Sequence, residues 1–188
     1  MRPCDKQEAV EFVKEHHSRL PNTQRGPWKF SFGAYCNQKM VAAALWNNPS
    51  ARTLPNDWLE LRRMACSADA PRNTASHMLG KMARYFERYH PDVVKLISYQ
   101  DVDVHAGTIY KAANWFAEYY SRPRNRDRSK NRTGTTRKYR SDINTASVAA
   151  SGKIRWSYYL QQDPSLALKQ ALAEKVIADS IKPRNPCK

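Results

Sequence analysis

Apolar positions recur along the chain at two spacings, and the alternation between them predicts its elements. Residues 5–20 show the helical one: Ala9, Phe12, Val13, His16, His17 and Leu20 fall near one face, Asp5 stands where a cap would, and Pro21 follows. From Trp28 the period drops to two. Trp28, Phe30, Phe32 and Ala34 alternate with Lys29, Ser31, Gly33 and Tyr35, and an Asn37-Gln38-Lys39 turn leads to the run Met40–Trp46, a β-hairpin. After a connector holding Pro49 and Pro55, Trp58–Cys66 reads as another strand. A turn-forming stretch follows, and Ala75, Met78, Leu79, Met82, Phe86 and Tyr89 then return to helical spacing. Val93–Ser98 is a short β-rich run, Gly107–Ala113 a short helix and Trp115–Tyr120 a strand. Ile154–Leu160 predicts a late strand and Leu166–Ile181 a last helix, with Leu168, Leu172, Val176 and Ile177 as its apolar stripe. Strands separated by helices in this order predict a mixed α/β domain with crossover connections, not a bundle or a sandwich.

Composition changes the picture at Ser121. From Arg122 to Arg140, nine of nineteen residues are Lys or Arg and one is acidic, too little apolar surface for the segment to order alone. The chain therefore divides into a core at 1–121, a basic arm at 122–142 and a strand and helix at 143–188 that complete the domain. Over all 188 residues, 32 Lys and Arg against 17 Asp and Glu leave a net charge of +15. Such an excess implies a polyanionic partner, because phosphate backbones bind cations by releasing condensed counterions. A membrane surface would also demand an amphipathic apolar face beside the charge, and none is evident. No run of eighteen apolar residues or secretory leader is seen, so a cytosolic location is expected. Cys4, Cys36, Cys66 and Cys187 lack C-x-x-C spacing, which points to free thiols and to neither zinc nor disulfides.

Three stretches carry a family resemblance. Phe12-Val13-x-x-His16-His17 is the first. The second is Leu61-Arg62-Arg63-Met64-Ala65 with Ala70-Pro71-Arg72-Asn73-Thr74-Ala75-Ser76. The third joins Ser98-Tyr99-Gln100-Asp101 to His105-x-Gly107-Thr108-Ile109-Tyr110-Lys111-Ala112-Ala113-Asn114-Trp115, and its nine adjacent positions ending in Ala-Asn-Trp are the most specific. Together they resemble the phage Mom family over most of residues 5–160. The resemblance implies a divergent GCN5-related acetyltransferase fold, a mixed sheet flanked by helices. It also implies modification of adenine in double-stranded phage DNA at N6, giving a carbamoylmethyl adduct that protects the genome from restriction. In ordinary acetyltransferases the pyrophosphate loop, Arg/Gln-x-x-Gly-x-Gly/Ala, opens the helix that starts here near residue 72. This chain has Arg72-Asn73-Thr74-Ala75-Ser76-His77 instead. Arg72, Asn73, Thr74 and Ser76 are the cofactor-binding candidates, Asn73 as a cap and the helix amides as phosphate donors. With the glycines missing, the activated acyl donor is either acetyl-CoA or another, such as a charged tRNA.

The candidate catalytic residues are His17, Arg63, Asp101 and Tyr110. A lone histidine on a helix is more often a packing residue; the resemblance favours His17 as a proton acceptor, or as a metal ligand with Asp101. Arg63 would hold an anionic intermediate or a donor phosphate through a bidentate guanidinium, against the alternative of a solvated strand edge. Asp101 sits at the carboxyl end of a strand, where α/β folds place their sites; a turn-forming aspartate is equally consistent with the sequence. Tyr110 lies in the short helix that in acetyltransferases presents a general acid to the leaving thiolate, and a phenol pKa of ~10 suits late proton donation. Trp115, Tyr99 and Trp28 are possible stacking partners for a flipped base, with core packing as the alternative. The rival functions are acylation of a protein or RNA amine and noncatalytic coating of DNA.

The arm carries a direct test. If Arg122, Arg124, Arg126, Arg128, Lys130, Arg132, Arg137, Lys138 and Arg140 close about six phosphate contacts, affinity for DNA falls by roughly three orders of magnitude from low to moderate salt. Replacing Arg122, Arg124, Arg126 and Arg128 by Ala is expected to weaken binding and flatten that salt slope without lowering the melting temperature. Equal slopes for the two chains would remove the arm from DNA binding.

Overall fold

In the computed structural model, residues 1–17, 26–123, 151–161 and 165–181 are described. Asp5 starts the first helix, α1 (Lys6–His16), as the sequence predicts: its Oδ1 accepts from the amides of Gln7 at 2.8 Å and Glu8 at 3.0 Å. The helix ends at His16, short of the expected residue 20. His17 still donates its amide to the Val13 carbonyl at 2.9 Å, but its own backbone is extended, so it leaves the helix as the C-cap. Leu20 and Pro21 lie outside the described residues.

The predicted hairpin is β2 (Phe30–Cys36) and β3 (Lys39–Asn47), preceded by the two-residue β1 (Arg2–Pro3) on the β2 edge. Asn37 and Gln38 both have positive φ, at 48° and 65°, the backbone that a tight hairpin turn needs to match strand twist. β3 is buried from Val41 to Trp46, with no inside-outside alternation, because helices cover both its faces. On one side Ala9, Val10 and Val13 of α1 pack on Ala43, Leu45 and Ala65. On the other, Ala42, Ala44 and Trp46 meet α2 (Thr74–Tyr89) through Met78, Leu79, Met82 and Phe86.

β4 (Trp58–Cys66) runs antiparallel to β3, with a bulge that leaves Arg62 as the extra residue between Leu61 and Arg63. Helix α2 then crosses over to β5 (Lys95–Asp101), which pairs parallel to β4. The short α3 (Thr108–Ala112) and β6 (Phe116–Ser121) follow. β7 (Lys153–Tyr159) does not add to the outside of β6; it inserts between β5 and β6, antiparallel to both. The sheet order is β1-β2-β3-β4-β5-β7-β6.

The expected last helix forms as α4 (Leu166–Ile181), but its apolar stripe is not its buried side. Leu168, Leu172 and Val176 are 66%, 57% and 63% exposed, and of the stripe only Ile177 is buried. The helix rolls so that Leu166, Gln170 and Ala173 share the inner side with Ile177, against the sheet edge at β6. Tyr89, expected on the buried face of α2, is likewise exposed at the end of that helix.

A charged network holds the β5–β7–β6 half together. A bulge between Ala117 and Tyr119 makes Glu118 the extra residue of β6. Its carboxylate accepts from Lys95 Nζ, from Arg155 Nε at 2.8 Å and from Ser157 Oγ at 2.7 Å. Lys95 is 1% exposed; its ammonium lies 3.9 Å from the Trp58 ring centre and 4.4 Å from that of Tyr159, whose hydroxyl also accepts from it. A buried lysine is tolerated only when paired this fully.

Cys4, Cys36 and Cys66 are free thiols, and Cys187 lies outside the described residues. No helix among the described residues is long and apolar enough to cross a membrane.

The network sets an acid-stability prediction. Burial alone would raise the Glu118 carboxyl, but the hydrogen bonds from Lys95 and Ser157 and the charges of Lys95 and Arg155 outweigh it and hold the carboxyl below its ordinary value of 4.5. With the folded value below the unfolded one, the stability it adds is complete above about pH 4.5 and is lost as pH falls through the folded value. Glu118→Ala strands the Lys95 ammonium and is expected to cost about 3–5 kcal/mol in chemical denaturation at neutral pH. A variant as stable as the parent at pH 7 would show that the network does not hold this half of the sheet.

Candidate functional site

The site begins where two neighbouring strands part. β4 and β5 pair only from Trp58 with Lys95 to Leu61 with Ser98; beyond that, β4 runs on to Cys66 and β5 to Asp101 without pairing each other. At the apex of this opening, Ser98 Oγ lies 3.3 Å from the Leu61 carbonyl, to which it donates, and 2.9 Å from the Tyr110 hydroxyl.

Tyr110 arrives there because α3 starts from Gly107, whose φ of 74° puts it in the left-handed region. A Cβ at that residue would also stand 2.5 Å from Gln100 Oε1 and 2.7 Å from the Trp156 ring. The Tyr110 ring stacks on Trp156 at 5.2 Å and 12°, the Trp156 indole donates to Gln100 Oε1 at 2.7 Å, and the Gln100 amide donates to the His105 carbonyl. The phenol is therefore fixed in direction as well as place. Burial pushes its pKa up, and the Ser98 hydrogen bond works against that rise.

Asp101 ends β5 three positions past Ser98, so alternation puts the two side chains on opposite faces of the sheet. Its carboxylate accepts from Ser151 Oγ at 2.6 Å, from Lys153 Nζ at 3.5 Å and from the Asp103 amide at 3.2 Å. The turn-forming alternative is thus realised, together with an ion pair to β7.

Arg63 lies near enough to His17 for its charge to act on the imidazole. The His17 imidazole is pulled down to about 4, first by burial, then by the charges of Arg63 and His105. It is neutral at physiological pH and can accept a proton. Arg63 is half-buried on an interior strand, not a solvated edge, and donates through Nη1 to the Arg62 carbonyl at 2.6 Å. His16 faces elsewhere, 4.4 Å from the Phe12 ring and 3.6 Å from the Glu15 carboxylate. His105 was not among the site candidates, although it opens the segment His105-x-Gly107-Thr108 that carries the resemblance.

At the start of α2 the expected donors are rearranged. Asn73 occupies the N-cap position with φ 66° but makes no side-chain cap bond. Having taken the left-handed backbone, it does the job a glycine would do there. Thr74 Oγ1 donates to the Pro71 carbonyl at 2.6 Å and Ser76 Oγ to the Asn73 carbonyl at 3.0 Å. Both hydroxyl protons are thus directed at backbone. The first helical bond runs from the His77 amide to the Asn73 carbonyl, which leaves the amides of Ala75 and Ser76 ahead of it, with Arg72 exposed nearby. These groups fit a phosphate through backbone amides and a guanidinium. Among the described residues no group of three or more His, Cys, Asp and Glu side chains is arranged to hold a metal ion.

Of the arm, Arg122 is exposed just past β6; Arg124, Arg126, Arg128, Lys130, Arg132, Arg137, Lys138 and Arg140 lie outside the described residues. Both ends of the connection are defined, because Ser121 pairs with Lys153 and Lys153 with Asp101. The segment leaves and returns at the carboxyl end of β5. Of the possible stacking residues, Trp115 is buried in the core, Trp28 packs against the α1 cluster, and Tyr99 is half-buried near Arg155.

The model of the Mom protein family matches residues 1–172. The chain belongs to the Mom protein family. Solved structures give this Mom-family chain its fold. It matches the ribosomal-protein-S18-alanine N-acetyltransferase from Escherichia coli with a TM-score of 0.57 at 13% identity, covering 86% of this chain and 93% of that one. An acetyltransferase from Bacillus subtilis, solved in complex with CoA, matches with 0.55 at 9% identity, covering 85% and 97%. A probable acetyltransferase from Staphylococcus epidermidis gives 0.55 at 9%, covering 85% and 98%. Comparison with curated proteins finds no match. The fold is that of the GCN5-related N-acetyltransferases, in a divergent form whose helix-start loop lacks glycine.

The pairing of His17 with Arg63 is open to titration. In nuclear magnetic resonance the His17 imidazole is expected to titrate near the value of about 4, and Arg63→Gln to move its midpoint upward. Because the folded value lies below the ordinary 6.5, the stability tied to His17 is complete above that pH and lost as pH falls toward about 4. A His17 midpoint indifferent to Arg63→Gln would separate the two residues.

Proposed function

We propose that this Mom-family chain is a transferase that modifies the exocyclic N6 amine of adenine in double-stranded DNA, leaving a carbamoylmethyl-type adduct that shields phage DNA from restriction in the bacterial cytoplasm. The observation that carries the reading is the Tyr110 hydroxyl, held by Ser98 at the apex where β4 and β5 part. An opening of this kind can admit the arm of an acyl-CoA donor, and one structural neighbour was solved with CoA. In this chain Arg72 and the amides of Ala75 and Ser76 would hold the donor phosphates.

The N6 amine is a poor nucleophile because its lone pair is delocalised into the ring. The protein therefore has to position it and to manage protons. Flipping the base out of the duplex would bring N6 to the opening. Arg63 would then hold developing negative charge, and neutral His17 would accept the proton the amine gives up. Tyr110 returns a proton to the leaving group, a thiolate in the case of a CoA donor. The finished adduct joins N6 through a methylene, so acyl transfer alone does not complete it. Whichever donor carbon meets the amine, N6 loses one proton and the leaving group gains one. The arm, anchored beside Asp101, would hold the DNA backbone next to this chemistry.

Mass spectrometry of nucleosides from DNA of cells expressing the chain tests the reading. A heavier adenine nucleoside is expected, its yield falling roughly 10²–10⁴-fold in Tyr110→Phe, as for loss of a general acid, while DNA affinity is unchanged. Unmodified adenine beside an acylated protein or RNA amine would overturn the substrate. Protection of DNA that survives Tyr110→Phe without any adduct would overturn catalysis in favour of a coat.

A further inference from the structure

Ser98 has one hydrogen and two oxygens within its reach. The Leu61 carbonyl is 3.3 Å away and the Tyr110 hydroxyl 2.9 Å, and the Ser98 side chain is buried at the last position where β4 and β5 pair. Two arrangements satisfy this geometry. In one, Tyr110 donates to Ser98 and Ser98 donates to Leu61; the phenol proton then points inward and is tied up. In the other, Ser98 turns its hydrogen to the phenol oxygen, and the Tyr110 proton is free to point into the opening. An alanine would pack a strand position as well, and a buried hydroxyl costs desolvation unless its bonds are made. The ring itself has no comparable freedom, because Trp156, Gln100 and the loop at 102–107 hold it.

We propose that Ser98 is the positioning residue that arms Tyr110, swinging its hydrogen from the Leu61 carbonyl to the phenol oxygen so that the Tyr110 proton faces the leaving group. The inference rests on the transferase reading above and deepens it. When the leaving group departs, the Tyr110 O–H bond breaks and a bond from that proton to the leaving atom forms. The electron pair stays on the phenol oxygen, where the Ser98 hydrogen meets it. The phenolate regains a proton from water as product leaves. Ser98 itself neither gains nor loses a proton over the cycle.

Two measurements on the full chain test this. The first requires no turnover: 3-fluorotyrosine is placed at position 110, and its ionisation is followed by fluorine magnetic resonance in the parent, Ser98→Ala and Ser98→Thr. Removing the hydroxyl is expected to raise the phenol midpoint by up to about one pH unit, a tenfold change in its ionisation constant, and threonine to restore it. The second is DNA modification. Ser98→Ala is expected to lower kcat roughly tenfold at constant KM for DNA, and to change nothing further in a Tyr110→Phe background. A phenol midpoint that stays put in a Ser98→Ala chain of parental melting temperature overturns the proposal, as does an equal loss of kcat from Ser98→Ala in the parent and in Tyr110→Phe. If Ser98→Thr melts early from overpacking, Ser98→Cys, a near-isostere with a weaker donor, is expected to fall between serine and alanine, and a cysteine midpoint outside that interval counts against the proposal. Absence of any modified adenine from the parent overturns the proposed function instead, and the fluorine titration still decides the Ser98–Tyr110 pairing by itself.

Discussion

One parallel strand pair in an otherwise antiparallel sheet governs the molecule. β4 and β5 cannot be joined by a tight turn, so α2 must cross over between them, and its first turn is delivered to the same end of the sheet as Asp101. The pair is also short, four positions long. What permits it to part is that each strand is fully engaged on its other edge: β4 with β3 up to Cys66, and β5 with β7 through all seven residues. Backbone groups between residues 62–66 and 99–101 are thereby left facing one another across a gap instead of bonding. Unpaired strand edges are normally a liability, but here each strand is anchored along its other edge.

Anchoring the far side takes more than hydrogen-bond ladders. The β5–β7–β6 half has no α1 above it, and the Lys95–Glu118–Arg155–Ser157 network, clamped between Trp58 and Tyr159, fills that face. A bulge aims Glu118 inward, trading one ladder position for three charge-assisted bonds. The other half is held by small residues, Ala43 and Ala65 beneath Ala9 and Val13, which let α1 lie close to the sheet and bring His17 to the neighbourhood of Arg63. Two unlike packings, one polar and one dry, thus flank the opening.

How much of this the sequence discloses depends on the range of the interaction. The hairpin, the cap at Asp5 and the crossover helix are written in neighbouring residues and are legible there. The place of β7 is not, since nothing near Ile154 or Trp156 says that it slots between β5 and β6. The roll of α4 defeated its own periodicity: Leu168, Leu172 and Val176 make a regular stripe, yet the sheet edge takes up Leu166, Gln170, Ala173 and Ile177. Lys95 reads as a solvated strand residue until Glu118 and two rings, more than twenty residues away or on another strand, are seen to enclose it. At the site, Tyr110, His17 and Arg63 are candidates through the resemblance, each named singly; that the Arg63 charge acts on His17 emerges only from the fold. Asp101 was read correctly in place but is tied by partners on β7, and Asn73 contributes its backbone where its side chain was expected.

The missing glycines at the start of α2 and the low basicity of His17 bear on the same question, how the site chooses what it holds. Glycine loops bind pyrophosphate by letting backbone come close; here Asn73 supplies the left-handed turn while its side chain and the β-carbons of Thr74 and Ala75 remain. The close backbone approach that glycines give is therefore limited at this turn. His17, for its part, is a weak base because burial lowers it first and the charges of Arg63 and His105 lower it further. An anion settling on Arg63 would relieve only the Arg63 part of that lowering, and the burial that dominates it would stay.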